Sequence, residues 1–349
     1  MSWKRVKSSP LFIGGHRKCG TTLFVSLLDG HEELFIFPSE SGFFYKFYPI
    51  FEDLKYSYED RVNRMIDSIL RTLEEVVAEW IGYDNCPSFS LDRLAAVFRE
   101  KLEASPKQTK DFLEAMIYAA WEVLPGPKER QKYWVDKTTS TEIYAPLLFQ
   151  WYPEAKFIHV LRDPRDNYGA IKAGWEKRYQ YQFDCKERLL QSVIDRAKLG
   201  MELAEINQRR FGTKRYLVIR YEDVATQAEA TLRRVCEFLE IPFQPSLLVP
   251  TFCGQVWGGN NHELKKFSSV SQGSVNRWRE RIDEHEAKVI EYYFRDVMPR
   301  QGYVPTYDLQ EAADAAREHY KWFNYAQVYS LKVNEYYPLT HMKGPGAPR

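Results

Sequence analysis

The chain has 349 residues, 44% of them hydrophobic, and its 49 basic and 48 acidic side chains leave a net charge of +1. That is enough apolar material for a sizeable core, and the charge balance excludes a global field that would gather nucleic acid or an anionic membrane. Any anion site must be local. The five cysteines (Cys19, Cys86, Cys185, Cys236 and Cys253) are odd in number and contain no C-x-x-C pair, which argues against a disulfide framework or zinc cluster and for a reducing compartment. His16, His31 and His159 show no ligand spacing with them, so no metal is expected. No window approaches the roughly 18 apolar residues of a membrane span, and MSWKRVKSSPLFIGG lacks a secretory pattern. The expectation is a cytoplasmic protein.

Leu11-Phe12-Ile13 reads as a buried strand ended by Gly14-Gly15, and Leu23, Phe24, Leu27 and Leu28 have helical spacing. Between them lies HRKCGTT at 16 to 22. Gly15 and Gly20 have the spacing of a phosphate loop, yet Thr21 stands where the usual lysine would be, and Lys18 lies inside the loop. The amides of Gly20, Thr21 and Thr22 fall at a helix N-terminus, where anions are held. By itself such a loop is equally a glycine turn between strand and helix.

PSESGFF follows at 38 to 44, and residues 59 to 80 carry Ile66, Ile69, Leu70, Leu73, Val76, Val77 and Trp80 on one face of a long amphipathic helix. Asn85-Cys86-Pro87-Ser88 and Pro125-Gly126-Pro127 are breaks. After DKTTS at 136 to 140, two apolar runs end in charge: Phe157–Leu161 before Arg162-Asp163-Pro164, and Tyr216–Ile219 before Arg220-Tyr221-Glu222-Asp223. The carboxyl edge of a parallel sheet is where ligands bind. Residues 187 to 209 and 223 to 239 read as helices, and RWRERI closes the series at 277 to 282. The fold class is α/β: one domain over residues 1–349, a P-loop-like parallel sheet flanked by helices. It carries a helical insertion at about 50 to 130 and an aromatic-rich C-terminal extension at about 300 to 349. Aromatic clusters at 43 to 51, 175 to 183 and 319 to 329 suit an acceptor cleft or a core equally.

HRKCGTT, PSESGFF, DKTTS, VLRDPRD, YED and RWRERI, in this order from about residue 11 to 282, resemble the sulfotransferases that use 3′-phosphoadenosine-5′-phosphosulfate (PAPS). The resemblance implies a 5′-phosphosulfate loop formed by Arg17, Lys18, Cys19, Gly20, Thr21 and Thr22. A cation belongs beside the bridging oxygen because charge gathers there as the sulfuryl group leaves. It further implies that Arg162 clamps the 3′-phosphate through its guanidinium fork, with Tyr221 nearby and Arg277 in a closing segment. The family commonly has a serine where this chain has Ala170. Its place falls to Gly169 with a water, or to the hydroxyl of Ser268, Ser269 or Ser274.

An acceptor hydroxyl or amine must lose a proton, so a base is required. The histidine used by the phenol and steroid branch is replaced here by Thr139. The chain is more similar to the carbohydrate and tyrosylprotein branch, which makes Glu40 the candidate base and Lys137 a group that touches the transferring sulfonate. Asp136 is a reserve base, or the ion-pair partner of Lys137. The acceptor would be a small molecule, saccharide or peptide, with no nucleic acid partner and no metal. The rivals are a P-loop kinase with Asp163 holding magnesium, and a non-catalytic nucleotide-binding protein.

Overall fold

Five short strands organise the molecule: β1 (Pro10–Gly14), β2 (Leu34–Ile36), β3 (Tyr133–Lys137), β4 (Lys156–Leu161) and β5 (Tyr216–Arg220). They form one parallel sheet in the order β2-β3-β1-β4-β5. The computed structural model describes residues 9–87, 89–126, 128–259 and 269–319. Every residue of β1 and β3 is buried, which is why Leu11-Phe12-Ile13 of β1 reads as a continuous rather than an alternating apolar run; β3 ends in the charged pair Asp136 and Lys137 and does not read so. Phe12 lies opposite Asp136 and Ile13 opposite Lys137 on one side, with Ile13 opposite Ile158 on the other. The chain runs from β1 out to β2, returns to β3 beside β1, and then crosses β1 to reach β4. A crevice results at the carboxyl ends of these strands.

Helix α1 (Thr21–Leu28) leaves the loop after β1. Between β2 and β3 the described chain is helical, and the expected helix at 59 to 80 is a continuous path from Tyr58 to Ile81 that includes π-helical stretches at Ile66–Leu70 and Val77–Ile81. Its Val62, Met65, Ile69, Leu70, Leu73 and Val77 pack with α2 (Leu91–Glu103) and α3 (Thr109–Val123). Helix α4 (Pro164–Lys172) starts at a proline behind the N-cap Asp163, whose side chain accepts from the Arg165 amide. Helix α5 (Lys186–Phe211) spans the stretch expected at 187 to 209. The single helix expected at 223 to 239 is two: Tyr221–Thr226, then α6 (Ala228–Leu239), broken at Gln227, whose φ is −138°. Helix α7 (Glu284–Phe294) opens with a capping box between Asp283 and Glu286.

The aromatic cluster at 43 to 51 is mostly core: Phe43, Phe44, Phe47, Tyr48 and Phe51 are buried. That at 319 to 329 lies outside the described residues apart from His319. Among the described residues, no helix is long and apolar enough to cross a membrane.

Where β4 pairs with the edge strand β5, Tyr216 stacks on Phe157 with ring centroids 4.8 Å apart, and its hydroxyl meets His159 Nδ1 at 2.8 Å. Burial pushes His159 down to about 3, so the fold holds it neutral while the unfolded chain protonates it below its ordinary 6.5. Its contribution is therefore whole above pH 6.5 and lost as the pH falls towards 3. Between pH 6.5 and 4.5 the wild type should lose about 2 kcal/mol more stability than His159→Gln. Urea unfolding at the two pH values measures the difference, and parallel losses would remove His159 from acid sensitivity.

Candidate active site

The loop after β1 is shaped by close approaches that only glycine permits. Gly15 has φ +139°, and a Cβ there would fall 2.3 Å from the Val160 carbonyl of β4. Gly20 has φ +92°, and its Cβ would fall 2.3 Å from the Tyr221 ring. Between them the Cys19 amide donates to the His16 carbonyl at 3.0 Å, and Lys18 takes φ +63°, a left-handed conformation that costs a non-glycine residue about 1 kcal/mol. Asn167 of α4 pins the loop from behind: Nδ2 donates to the Arg17 carbonyl at 2.7 Å and Oδ1 meets His16 Nδ1 at 2.8 Å. Cys19 is buried beneath the loop, and burial pushes its thiol up.

Arg162 leaves the end of β4 and is 6% exposed. One terminal nitrogen donates to the Lys18 carbonyl at 2.9 Å, the other donates to the Ser274 carbonyl at 2.8 Å, and the guanidinium lies 4.3 Å from the Tyr221 ring centroid. Each terminal nitrogen carries a second N–H. The segment around Ser274 is fixed by Asp166, which accepts from the Asn276 amide at 2.6 Å and from the Trp278 amide at 2.7 Å. Trp278 is core, and the Arg165 guanidinium stacks on it. Arg277 pairs with Glu280 at 3.5 Å and is not among the residues that line the cavity enclosed by Arg162 and the loop.

On the other side of the loop, Lys137 Nζ at the end of β3 donates to Glu40 Oε1 at 2.6 Å and to Thr22 Oγ1 at 3.3 Å. Asp136 is not the ion-pair partner of Lys137. Adjacent residues of a strand face opposite sides, and Asp136 is fully buried, accepting from Ser41 Oγ at 2.9 Å and Thr138 Oγ1 at 3.2 Å. Burial raises its carboxyl to about 6. It therefore sits behind Glu40.

One cavity of about 370 Å³ joins these parts; Arg17, Lys18, Gly20, Thr21, Thr22, Glu40, Arg162, Tyr221 and Ser274 all reach its wall. Ala170 lines it too, together with Ser269 and Ser271, while Ser268 is outside the described residues. Arg178, Gln182, Trp257 and Arg281, which had no place in the sequence-based site, also line the cavity. Arg178 and Tyr179 belong to the aromatic cluster at 175 to 183, a signal that left cleft and core open. Arg281 was visible only as part of RWRERI. Arg17 donates to Ser192 Oγ at 2.9 Å and stacks over Tyr179. Burial, then the neighbouring charges of Arg178 and Arg162, lower Lys18 to about 8. The site is thus an anion cavity whose wall, among the described residues, carries one carboxylate, Glu40.

An α/β sheet with a glycine loop at the end of its central strand, and a cationic cavity around it, defines a protein that handles a phosphate-bearing ligand. The "Sulfotransferase family" model matches residues 10–245, and the chain belongs to that family. The "Sulfotransferase Domain from the Curacin Biosynthetic Pathway" is similar in fold, with a TM-score of 0.57 at 17% identity, covering 85% of this chain and 99% of that one. "Protein-tyrosine sulfotransferase A" of Caenorhabditis elegans is 22% identical over 243 residues, 69% of this chain. The match spans about half of that relative's length, 53%.

Asn167 carries the loop's shape, so Asn167→Ala should leave the Arg17 carbonyl without its donor and cost about 1 to 3 kcal/mol. Denaturant unfolding measures it. A change within ±0.5 kcal/mol, the range of ordinary surface substitutions, would mean that the loop holds its shape without this side chain.

Proposed function

We propose that this protein transfers a sulfuryl group from PAPS to a hydroxyl or amine of a small-molecule, saccharide or peptide acceptor. The observation that carries the reading is the arrangement of Lys18, Arg162 and Glu40 around one cavity at the mouth of the loop. The loop amides at Gly20, Thr21 and Thr22 hold the 5′-phosphate, and Lys18 faces the bridging oxygen as charge develops on it. Arg162, with its remaining N–H groups and Tyr221 beside it, takes the 3′-phosphate. Ser274 and Arg277 belong to the segment that closes over the nucleotide.

Glu40 accepts the acceptor's proton as its nucleophilic atom attacks sulfur. Lys137, in contact with both Glu40 and Thr22, aligns the base with the donor loop and meets the transferring sulfonate. A magnesium-dependent kinase is disfavoured because the Asp163 carboxylate is taken up by Arg165, with contacts of 3.0 and 2.6 Å.

Calorimetric titration with adenosine 3′,5′-bisphosphate, with ATP and magnesium as control, tests the donor. Micromolar binding of the bisphosphate and weak binding of ATP are expected, and the reverse preference would sink the reading. Lys18→Ala and Glu40→Gln should each lower turnover by about 100-fold or more while leaving thermal unfolding unchanged; full activity in either removes that residue from its role. Ala170→Ser should tighten bisphosphate binding several-fold if the clamp lacks a hydroxyl. Because Lys18 loses its proton near pH 8 in the free protein, kcat/KM for the donor should decline as the pH rises through that value, and Lys18→Ala should lose this part of the decline.

A further inference from the structure

Sulfuryl transfer by Lys18, Arg162 and Glu40 makes no use of Glu142. It lies in the turn after β3, 1% exposed, directly behind the start of the phosphate loop. Its Oε2 accepts the Gly15 N–H at 2.8 Å, and the Gly15 carbonyl accepts from the Ser140 amide at 2.9 Å. One turn therefore grips both faces of the loop's first residue. Two glycines make room for the carboxylate: a Cβ on Gly14 would fall 2.8 Å from Oε2, and one on Gly200 of α5 would fall 3.3 Å from Oε1.

The groups that face Glu142 carry no positive charge. Cys19 comes from the loop, Tyr45 from the Phe43–Lys46 turn and Tyr216 from β5. Neutral His159 of β4 stands behind the Tyr216 hydroxyl, and Asn207 of α5 donates to Glu142's own carbonyl. Among the described residues no cation pairs with it. A buried carboxyl without a cation is raised, here to about 7. Such a group beneath an anion site is a functional candidate.

We propose that Glu142 is a positioning residue that takes up a proton when the donor binds. Ionised, it sets a negative charge behind the loop and opposes the incoming phosphate. Protonated from solvent, it keeps the Gly15 N–H on its carbonyl oxygen and the opposition vanishes. By linkage, donor capture favours the protonated form and rising pH weakens capture. The inference rests on the reading of PAPS as donor.

Calorimetry of adenosine 3′,5′-bisphosphate binding at pH 7.5, in two buffers of different ionisation enthalpy, counts the protons taken up. Glu142→Gln keeps an acceptor for Gly15 and cannot titrate, while Lys18 and the ligand's own phosphates titrate alike in both proteins. Proton uptake by the wild type should exceed that of Glu142→Gln by roughly half a proton or more, and wild-type affinity should fall about tenfold further between pH 6.5 and 8.5. A merely structural role would lower stability and leave the proton count unchanged; equal counts overturn the proposal. Infrared difference spectra of the wild type alone should gain a protonated-carboxyl band on adding the bisphosphate, a test that stands if Glu142→Gln fails to fold. A missing band also overturns it. Absence of bisphosphate binding by the wild type would instead bring down the donor reading, and this inference with it.

Discussion

The site depends on the burial of one guanidinium. Arg162 is withdrawn from water at the end of β4, a position that costs several kcal/mol unless its donors are met. The Lys18 and Ser274 carbonyls and the face of the Tyr221 ring meet part of that need, while its Nε has no hydrogen-bond partner among the described residues and the carboxylates of Asp166 and Glu222 lie close enough for their own ionisation to feel its charge. In satisfying itself the arginine fixes three pieces of chain far apart in sequence: the loop after β1, the start of the helix after β5, and the segment before Trp278. Gly20 completes the arrangement by leaving room for the ring that supports the cation.

The two halves of the cavity are tied differently. Around Arg162, backbone groups and buried charges on α4 do the holding, as in the Asp166 contacts to Asn276 and Trp278. Around Glu40 the ties are side chains, with Lys137 bridging Glu40 and Thr22. Under the proposed function the first half would take the nucleotide and the second the acceptor, a division that suits a fold in which the donor is common and acceptors differ.

Much of this was legible in the sequence because the signals were local. The apolar runs of β1, β4 and β5, the glycines of the loop, and charges at strand ends each lie within a few residues, so periodicity and turn chemistry reveal them. What sequence could not give was distance across the chain. Arg178 and Arg281 reach the same cavity from segments about a hundred residues apart, and neither has a local pattern that separates a cleft arginine from a surface one. The pairing of Asp136 failed for a related reason: adjacency in sequence suggested Lys137, whereas the pleat of a strand sends neighbours to opposite faces. Glu142 showed no signal, since a buried acid reads like any other glutamate until the surrounding glycines are seen in space. The division of the helix after β5 at Gln227 was likewise hidden, because its helical periodicity continues through the break.

The alignment of β1 with β3 places Ile13 beside Lys137 and Phe12 beside Asp136. A slip of one residue would present the other face of β3 to the crevice. The ammonium beside Glu40 would then give way to a second carboxylate, and two acids would confront each other where one acid and one base now meet. Accuracy of strand pairing in the core is thereby translated into the sign of the charge at the mouth of the crevice. A misregistered molecule would carry the wrong charge at this end of the crevice, a fault of polarity rather than of shape.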